Sequence, residues 1–244
     1  MRLIKNIEAD GAMQMAIDEA ILTARRKDLV PNTLRFFTWK PPCLTIGYFQ
    51  SLEQEIDLEK AKDVDIVRRY TGGGAILHDK ELTYSFAISE REVPKDIVGS
   101  YRMICGALVK GLGLLGIKAE FKEINDIIVN GKKISGNAQT RKEGIVLQHG
   151  TILMDVEVEK MFSFLRISDE KIKDKMIKSA EERVTSVNEQ IGNVSIEEVE
   201  AAMIKGFEDT FNARSEEQEL TDHELRLAER LRAKYAGKEW SYMR

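Results

Sequence analysis

Residues 68–79 read Arg-Arg-Tyr-Thr-Gly-Gly-Gly-Ala-Ile-Leu-His-Asp: two guanidinium groups run into three glycines, and a short apolar step ends in an imidazole. Glycines let a ligand lie directly on backbone N–H groups. Adjacent arginines suit an anion. The segment therefore reads as the seat of a small anionic ligand held by backbone. It is neither a Walker A loop, since no Gly-Lys-Ser/Thr follows, nor the dinucleotide fingerprint, whose glycine spacing is missing. The bland alternative is a flexible turn between two strands. Further along comes Asn125-Asp126-Ile127-Ile128-Val129-Asn130-Gly131-Lys132-Lys133-Ile134-Ser135-Gly136-Asn137-Ala138-Gln139. Together the two stretches point to carboxylate activation.

The Asn130-Gly131 pair favours a type I′ hairpin turn. In the strand after it, Lys133 and Ser135 share one face, away from Lys132 and Ile134. With Ile134 in the core, Lys133 faces a ligand cleft; the alternative is a solvated lysine on an exposed hairpin. Asn125-Asp126 suits Mg²⁺ through a carboxylate, or equally a strand-entry turn. His78 and His149 sit in apolar surroundings, where a histidine is either a satisfied core residue or a ligand contact. Cys43 and Cys105 read as small core residues, and no His/Cys spacing suggests zinc.

The elements that must carry these groups alternate helix and hairpin. Helices are expected over Asp10–Lys27, Ile56–Lys62 and Ile97–Leu115, the last with Ile97, Tyr101, Ile104 and Leu108 inward. Strands are expected over Thr33–Trp39, Cys43–Phe49, Asp65–Arg69, Leu82–Ile88, Asp126–Val129, Lys132–Ser135 and Gly144–Leu153. Ser195-Ile-Glu-Glu198 and Thr221-Asp-His-Glu224 fit capping boxes and open two late helices. Hairpins in place of βαβ repeats argue for an α+β fold with a mixed, mostly antiparallel sheet flanked by helices. The 244 residues are 43% apolar and 32% charged, enough for a core and a charged surface. A net charge of −4 gives no general attraction to nucleic acid or anionic membrane. Two cysteines make no disulfide framework, and no signal segment is evident at the start; a cytoplasmic location is expected.

At these motifs the chain resembles the lipoate–protein ligase A family of the biotin/lipoate ligase superfamily, most of all its short archaeal members. The matching pieces are residues 68–75 with His78-Asp79, Asn125-Asp126, Asn130–Gly136 and His149-Gly150-Thr151; Gly47-Tyr48-Phe49-Gln50 and Lys175–Val184 look alike too. The resemblance implies a fold like class II aminoacyl-tRNA synthetases and biotin synthetase. It implies ATP-dependent activation of lipoate to lipoyl-AMP, with Mg²⁺, then transfer to a lysine of an acceptor: an E2 lipoyl domain, glycine-cleavage H protein or H-like protein.

Lys133 would be catalytic, touching the carboxyl and the phosphate. Arg69, Thr71, Gly72, Gly73, Gly74, Ala75, His78, Asn125, Ser135, Ala138 and His149 would hold the adenylate, and Asp126 the metal. Residues near Ile46 and Tyr48 and the His149 strand are candidate walls for the lipoyl tail. The resemblance also divides the chain into a catalytic domain, residues 1–214, and a helical lead-in to a missing accessory domain, residues 215–244. A separate small accessory subunit would then be needed, with Trp240 and Tyr242 either meeting it or pinning the tail. Two rivals share the scaffold. One is a cysteine-dependent octanoyltransferase drawing on acyl carrier protein, which Gln139-Thr140-Arg141 and Leu147–Gly150 resemble. The other is a non-catalytic lipoate- or carrier-binding protein.

Overall fold

The computed structural model describes residues 1–167 and 169–244. Strand β1 (Arg2–Ala9) leads into α1 (Gly11–Arg26), then β2 (Thr33–Trp39), β3 (Cys43–Ile46), α2 (Leu52–Glu55), β4 (Asp65–Arg68), β5 (Ile76–His78) and β6 (Glu81–Ser89). Helix α3 (Ile97–Leu114) precedes β7 (Glu120–Lys122), β8 (Asp126–Val129), β9 (Lys132–Lys142) and β10 (Ile145–Leu153). The rest is α4 (Val158–Phe164), α5 (Glu170–Arg183), α6 (Val187–Ile191), α7 (Ile196–Phe211), β11 (Glu216–Glu217), α8 (Asp222–Ala236) and α9 (Lys238–Ser241).

The main sheet runs in the order β11-β1-β2-β6-β10-β9-β8-β7, and a small one in the order β4-β3-β5. Parallel pairing joins β11 to β1 and β1 to β2; from β2 to β7 every pairing is antiparallel. The α+β class and the mixed sheet are as expected. Helices α3 and α7 cover one face, where Ile104, Leu108 and Leu112 meet Met203 and Phe207. Helix α3 is long and apolar enough to cross a bilayer by composition, but here it is a core helix. On the other face α1 packs against Phe37, Leu147, Ala228 and Tyr235, with α8 laid across it.

Local signals explain the boundaries. Asp10 caps α1 through the Met13 amide, and both capping boxes form at Ser195 and Thr221. Asn130 and Gly131 both take positive φ, 51° and 81°, as a type I′ turn requires. Four expectations need correcting. The short helix is Leu52–Glu55, ahead of Ile56–Lys62, because Ile56 is pulled into a bridge with Leu165. β3 stops at Ile46, since the chain must turn at Gly47 to pass the glycine loop. Ile97 is 59% exposed: it is the first residue of its helix and overhangs the core. Strand β9 runs on to Lys142, past the expected end at Ser135, because it stays paired with β10 as far as the turn at Glu143-Gly144.

Candidate active site

The glycine loop links β4 to β5 and is held from below by its own arginines. Arg68 is fully buried, and its guanidinium donates to the carbonyls of Gly47 (3.0 Å), Tyr48 (3.2 Å), Gln50 (2.6 Å), Trp240 (3.2 Å) and Ser241 (2.9 Å). Arg69 donates to Thr45 Oγ1 (2.6 Å) and to the carbonyls of Gly72 (3.0 Å) and Gly74 (2.9 Å). Burial lowers the Arg69 pKa to about 10, so it remains cationic at neutral pH. The arginines shape the loop: Arg68 is wholly occupied by carbonyls and presents no free face to an anion. Gly73 takes φ +98°, a backbone state that side chains resist.

Two buried chains of polar side chains brace the loop. In one, Glu81 Oε1 lies 2.5 Å from His78 Nδ1, and His78 Nε2 lies 2.7 Å from Thr45 Oγ1. In the other, Asp18 Oδ2 lies 3.1 Å from His149 Nδ1, and His149 Nε2 lies 2.6 Å from Thr71 Oγ1. Each carboxylate can only accept from Nδ1–H, so Nε2 accepts the threonine hydroxyl in both chains. Asp18 also pairs with buried Arg35 at 2.7 Å. Burial pushes the Asp18 pKa up, but His149 and Arg35 outweigh it and hold the carboxyl below its ordinary value. Burial drives His149 the other way, below its ordinary value despite Asp18, and keeps the ring neutral.

These groups surround a narrow inner cavity of about 90 Å³, with Met15, Trp39, His78, Thr83, His149 and Thr151 in its walls. Trp39 stacks on His78 with ring centroids 4.0 Å apart, and its indole N–H donates to Thr83 Oγ1 at 2.8 Å. At the cavity's mouth stands Lys133, paired with Asp126 at 2.7 Å. Lys133 also lines two outer cavities, of about 270 Å³ and 780 Å³, so all three share its side chain. Ile134 is fully buried on the opposite side, as alternation demands. A bulge at Ile127/Ile128 sets Lys133 beside Gly136, where a Cβ would lie 2.7 Å from Lys133 Cε.

The expected residues converge in part. Arg69, Gly73, Gly74, His78, Asn125, Lys133, Ala138 and His149 line the inner cavity, and Ala75 lines the neighbouring one. Gly72 instead faces a separate surface pocket with Tyr48 and Trp240. Thr71 and Ser135 turn their hydroxyls inward, to His149 and Asn137. Asn125 clamps the chain by exchanging amide bonds with Asn137 (2.5 and 2.9 Å). Ile46 belongs to a separate core under the small sheet and Tyr48 to the surface pocket, so neither walls the inner cavity; of that set only the His149 strand does. Asp126, the expected magnesium ligand, pairs with Lys133, and no group of three acidic, His or Cys side chains gathers among the described residues. Asp18, Arg35, Glu81, Met15 and Trp39 carried no sequence signal, because each lies in an ordinary amphipathic helix or strand.

The cysteines are out of reach. Cys43 is fully buried in β3, and burial raises its thiol far above the ordinary range. Cys105 sits on α3, behind the sheet from His149, held by Gln148 of opposite strand parity, and burial pushes it to about 12. Trp240 pins the tail: its indole donates to the Arg68 carbonyl at 2.9 Å, while Tyr242 is exposed.

A family model described as the lipoyl protein ligase A/B catalytic domain matches residues 10–208. The chain belongs to that family. It is 40% identical over 269 positions to an octanoyltransferase LipM of Clostridioides difficile, covering 100% of this chain and 98% of that one. A bipartite lipoate protein ligase from Thermoplasma acidophilum, described with its E2 lipoyl domain, superposes with a TM-score of 0.90 at 34% identity, over 99% and 95% of the chains. A T. acidophilum protein described as a putative lipoate protein ligase with bound lipoic acid gives 0.84 at 32% identity, over 100% and 98%. The biotin/lipoate ligase superfamily and its class II synthetase-like fold are therefore as expected, and the chain is an enzyme of the lipoylation family. The expected ATP-dependent ligase activity is corrected: the curated relatives matched end to end, among them those of Bacillus subtilis and Staphylococcus aureus, are octanoyltransferases.

Proposed function

We propose that this chain is an acyltransferase that moves an octanoyl group from a carrier thioester to the lysine ε-amine of a lipoyl acceptor domain. The acceptor is an E2 lipoyl domain or a glycine-cleavage H-type protein, and the compartment is the reducing cytoplasm that suits two free cysteines. The observation that carries the mechanism is the position of the nucleophiles. Both thiols are buried away from the cavity, while Lys133 stands where all three cavities meet. The transfer is therefore a single displacement, without an acyl-enzyme.

The acyl tail occupies the inner cavity between Trp39, Met15 and the two bracing histidines, where neutral His149 leaves the walls uncharged. The thioester carbonyl then lies beside Lys133. The acceptor amine attacks the carbonyl carbon, an N–C bond forms, and the ammonium of Lys133 stabilises the oxyanion. The C–S bond breaks, Lys133 gives a proton to the leaving sulfur, and the proton shed by the amine returns to Lys133 through Asp126. Atoms and charge balance: thioester and amine become amide and thiol. No nucleotide, metal or accessory subunit enters, so the isolated chain suffices. The test is the mass of an E2 lipoyl domain after incubation with the chain and octanoyl-carrier protein, without ATP. An octanoyl increment is expected. Modification only with free acid plus ATP would overturn the proposal.

A further inference from the structure

The 780 Å³ cavity is an open groove between the β7–β9 ribbon and α5. Its cations are Lys122, Lys175, Arg183 and Lys133, and its only carboxylate among the described residues is Asp126, already paired with Lys133. Among the described residues no acidic side chain pairs with Lys122, Lys175 or Arg183. Between these charges the walls are apolar: Ile128, Phe162, Met176 and Val184, with Ile172 still 52% exposed. An apolar trough ending in unpaired cations suits a flexible organic arm that terminates in a phosphate.

The second mouth, of 270 Å³, differs in charge. Its rim carries Asp79, Asp155 and Glu157 against Lys80 and Lys160, which pair with Glu157 and Asp79 and leave Asp155 without a salt bridge among the described residues; Glu81 lies behind them. Both mouths share Phe162, Ala180 and Val184 as a partition and both reach Lys133. A single displacement needs donor and acceptor present together, and two mouths of opposite character provide for that.

Resting on the transfer reading above, we infer that the cationic groove binds the 4′-phosphopantetheine arm of the acyl donor. Lys175 and Arg183 take its phosphate, and the acidic mouth is left to the incoming lysine. The same arm occurs on carrier proteins and in coenzyme A, and the donors compared in the test distinguish the two.

The test compares the wild-type chain with a Lys175→Gln/Arg183→Gln variant, both of whose positions lie on the exposed side of α5. Donors are octanoyl-carrier protein, octanoyl-coenzyme A and octanoyl-pantetheine, which lacks the phosphate. The variant is expected to raise KM at least tenfold for the two phosphorylated donors and less than twofold for octanoyl-pantetheine, with kcat unchanged. A lower wild-type KM for the carrier protein than for coenzyme A identifies the carrier as the source; the reverse identifies coenzyme A. Equal KM changes for all three donors, or none, would overturn the assignment. Calorimetry with 4′-phosphopantetheine separates the two readings. Binding that the variant loses, with no transfer from any thioester, would keep the groove and refute the transferase. Transfer without any dependence on the phosphate would do the reverse.

Discussion

Replacing Gly136 by alanine tests the central claim that the position of Lys133 sets the rate. The new Cβ would lie 2.7 Å from Lys133 Cε and 2.8 Å from Nζ. An ordinary contact begins at 3.4 Å, so the end of the side chain must retreat by roughly 0.7 Å or more. The atoms displaced are the far end of a flexible, half-buried side chain, so the backbone pays little and the fold should persist. A reacting group misplaced by about 1 Å costs on the order of 10²-fold in rate. Deleting the ammonium with Lys133→Ala should cost ~10²–10³-fold, as for an oxyanion donor. The assay is the initial rate of octanoyl transfer to a lipoyl domain, with thermal unfolding as control. Gly136→Ala should lose about two orders of magnitude in kcat with its melting midpoint nearly unchanged, and in the Lys133→Ala background it should add nothing. A Gly136→Ala enzyme within a factor of about two of wild type, or one that still slows Lys133→Ala, would refute the reasoning.

Three other outcomes follow from the same geometry. Cys43→Ala and Cys105→Ala should each keep activity within about threefold, whereas losing a true nucleophile costs on the order of 10⁶-fold; intact-protein mass spectra should show no acyl adduct on the enzyme. Asp18→Asn strands the buried Arg35 charge and should cost ~3–5 kcal/mol, which for a chain of this size lowers the melting midpoint by about 10 °C in calorimetry. His149 is held neutral below its ordinary value of 6.5, so as pH falls through that value the unfolded chain takes up a proton that the folded chain refuses. Stability should therefore be flat above about pH 6.5 and decline below it, and His149→Gln should flatten the decline in a melting series.

Much of the fold was legible because its signals are local. Asp10, Ser195 and Thr221 announce helix starts through their own side chains, and Asn130-Gly131 can adopt the positive φ pair of its turn at little cost. Lys133 was found because alternation placed Ile134 in the core. What escaped depends on distant partners. Arg68 and Arg69 looked like anion ligands; the hydrogen bonds of Arg68 go to carbonyls as far along as residues 240 and 241, and those of Arg69 to the Gly72 and Gly74 carbonyls and the Thr45 hydroxyl. Thr71, expected to touch a ligand, has its hydroxyl against His149, 78 positions on. Asp18 looked like any helix carboxylate until folding set it between Arg35 and His149. The reaction class was misread because the motifs that carried the resemblance belong to a family holding both ligases and transferases.

The carbonyl cage around Arg68 has a consequence for synthesis. Two of its acceptors, Trp240 and Ser241, lie 172 and 173 positions further along the chain and are made long after it. The cage at the end of β4, just before the glycine loop, therefore cannot close until residue 241 has been made. A chain cut before residue 240 should carry every site residue yet hold the end of β4 poorly.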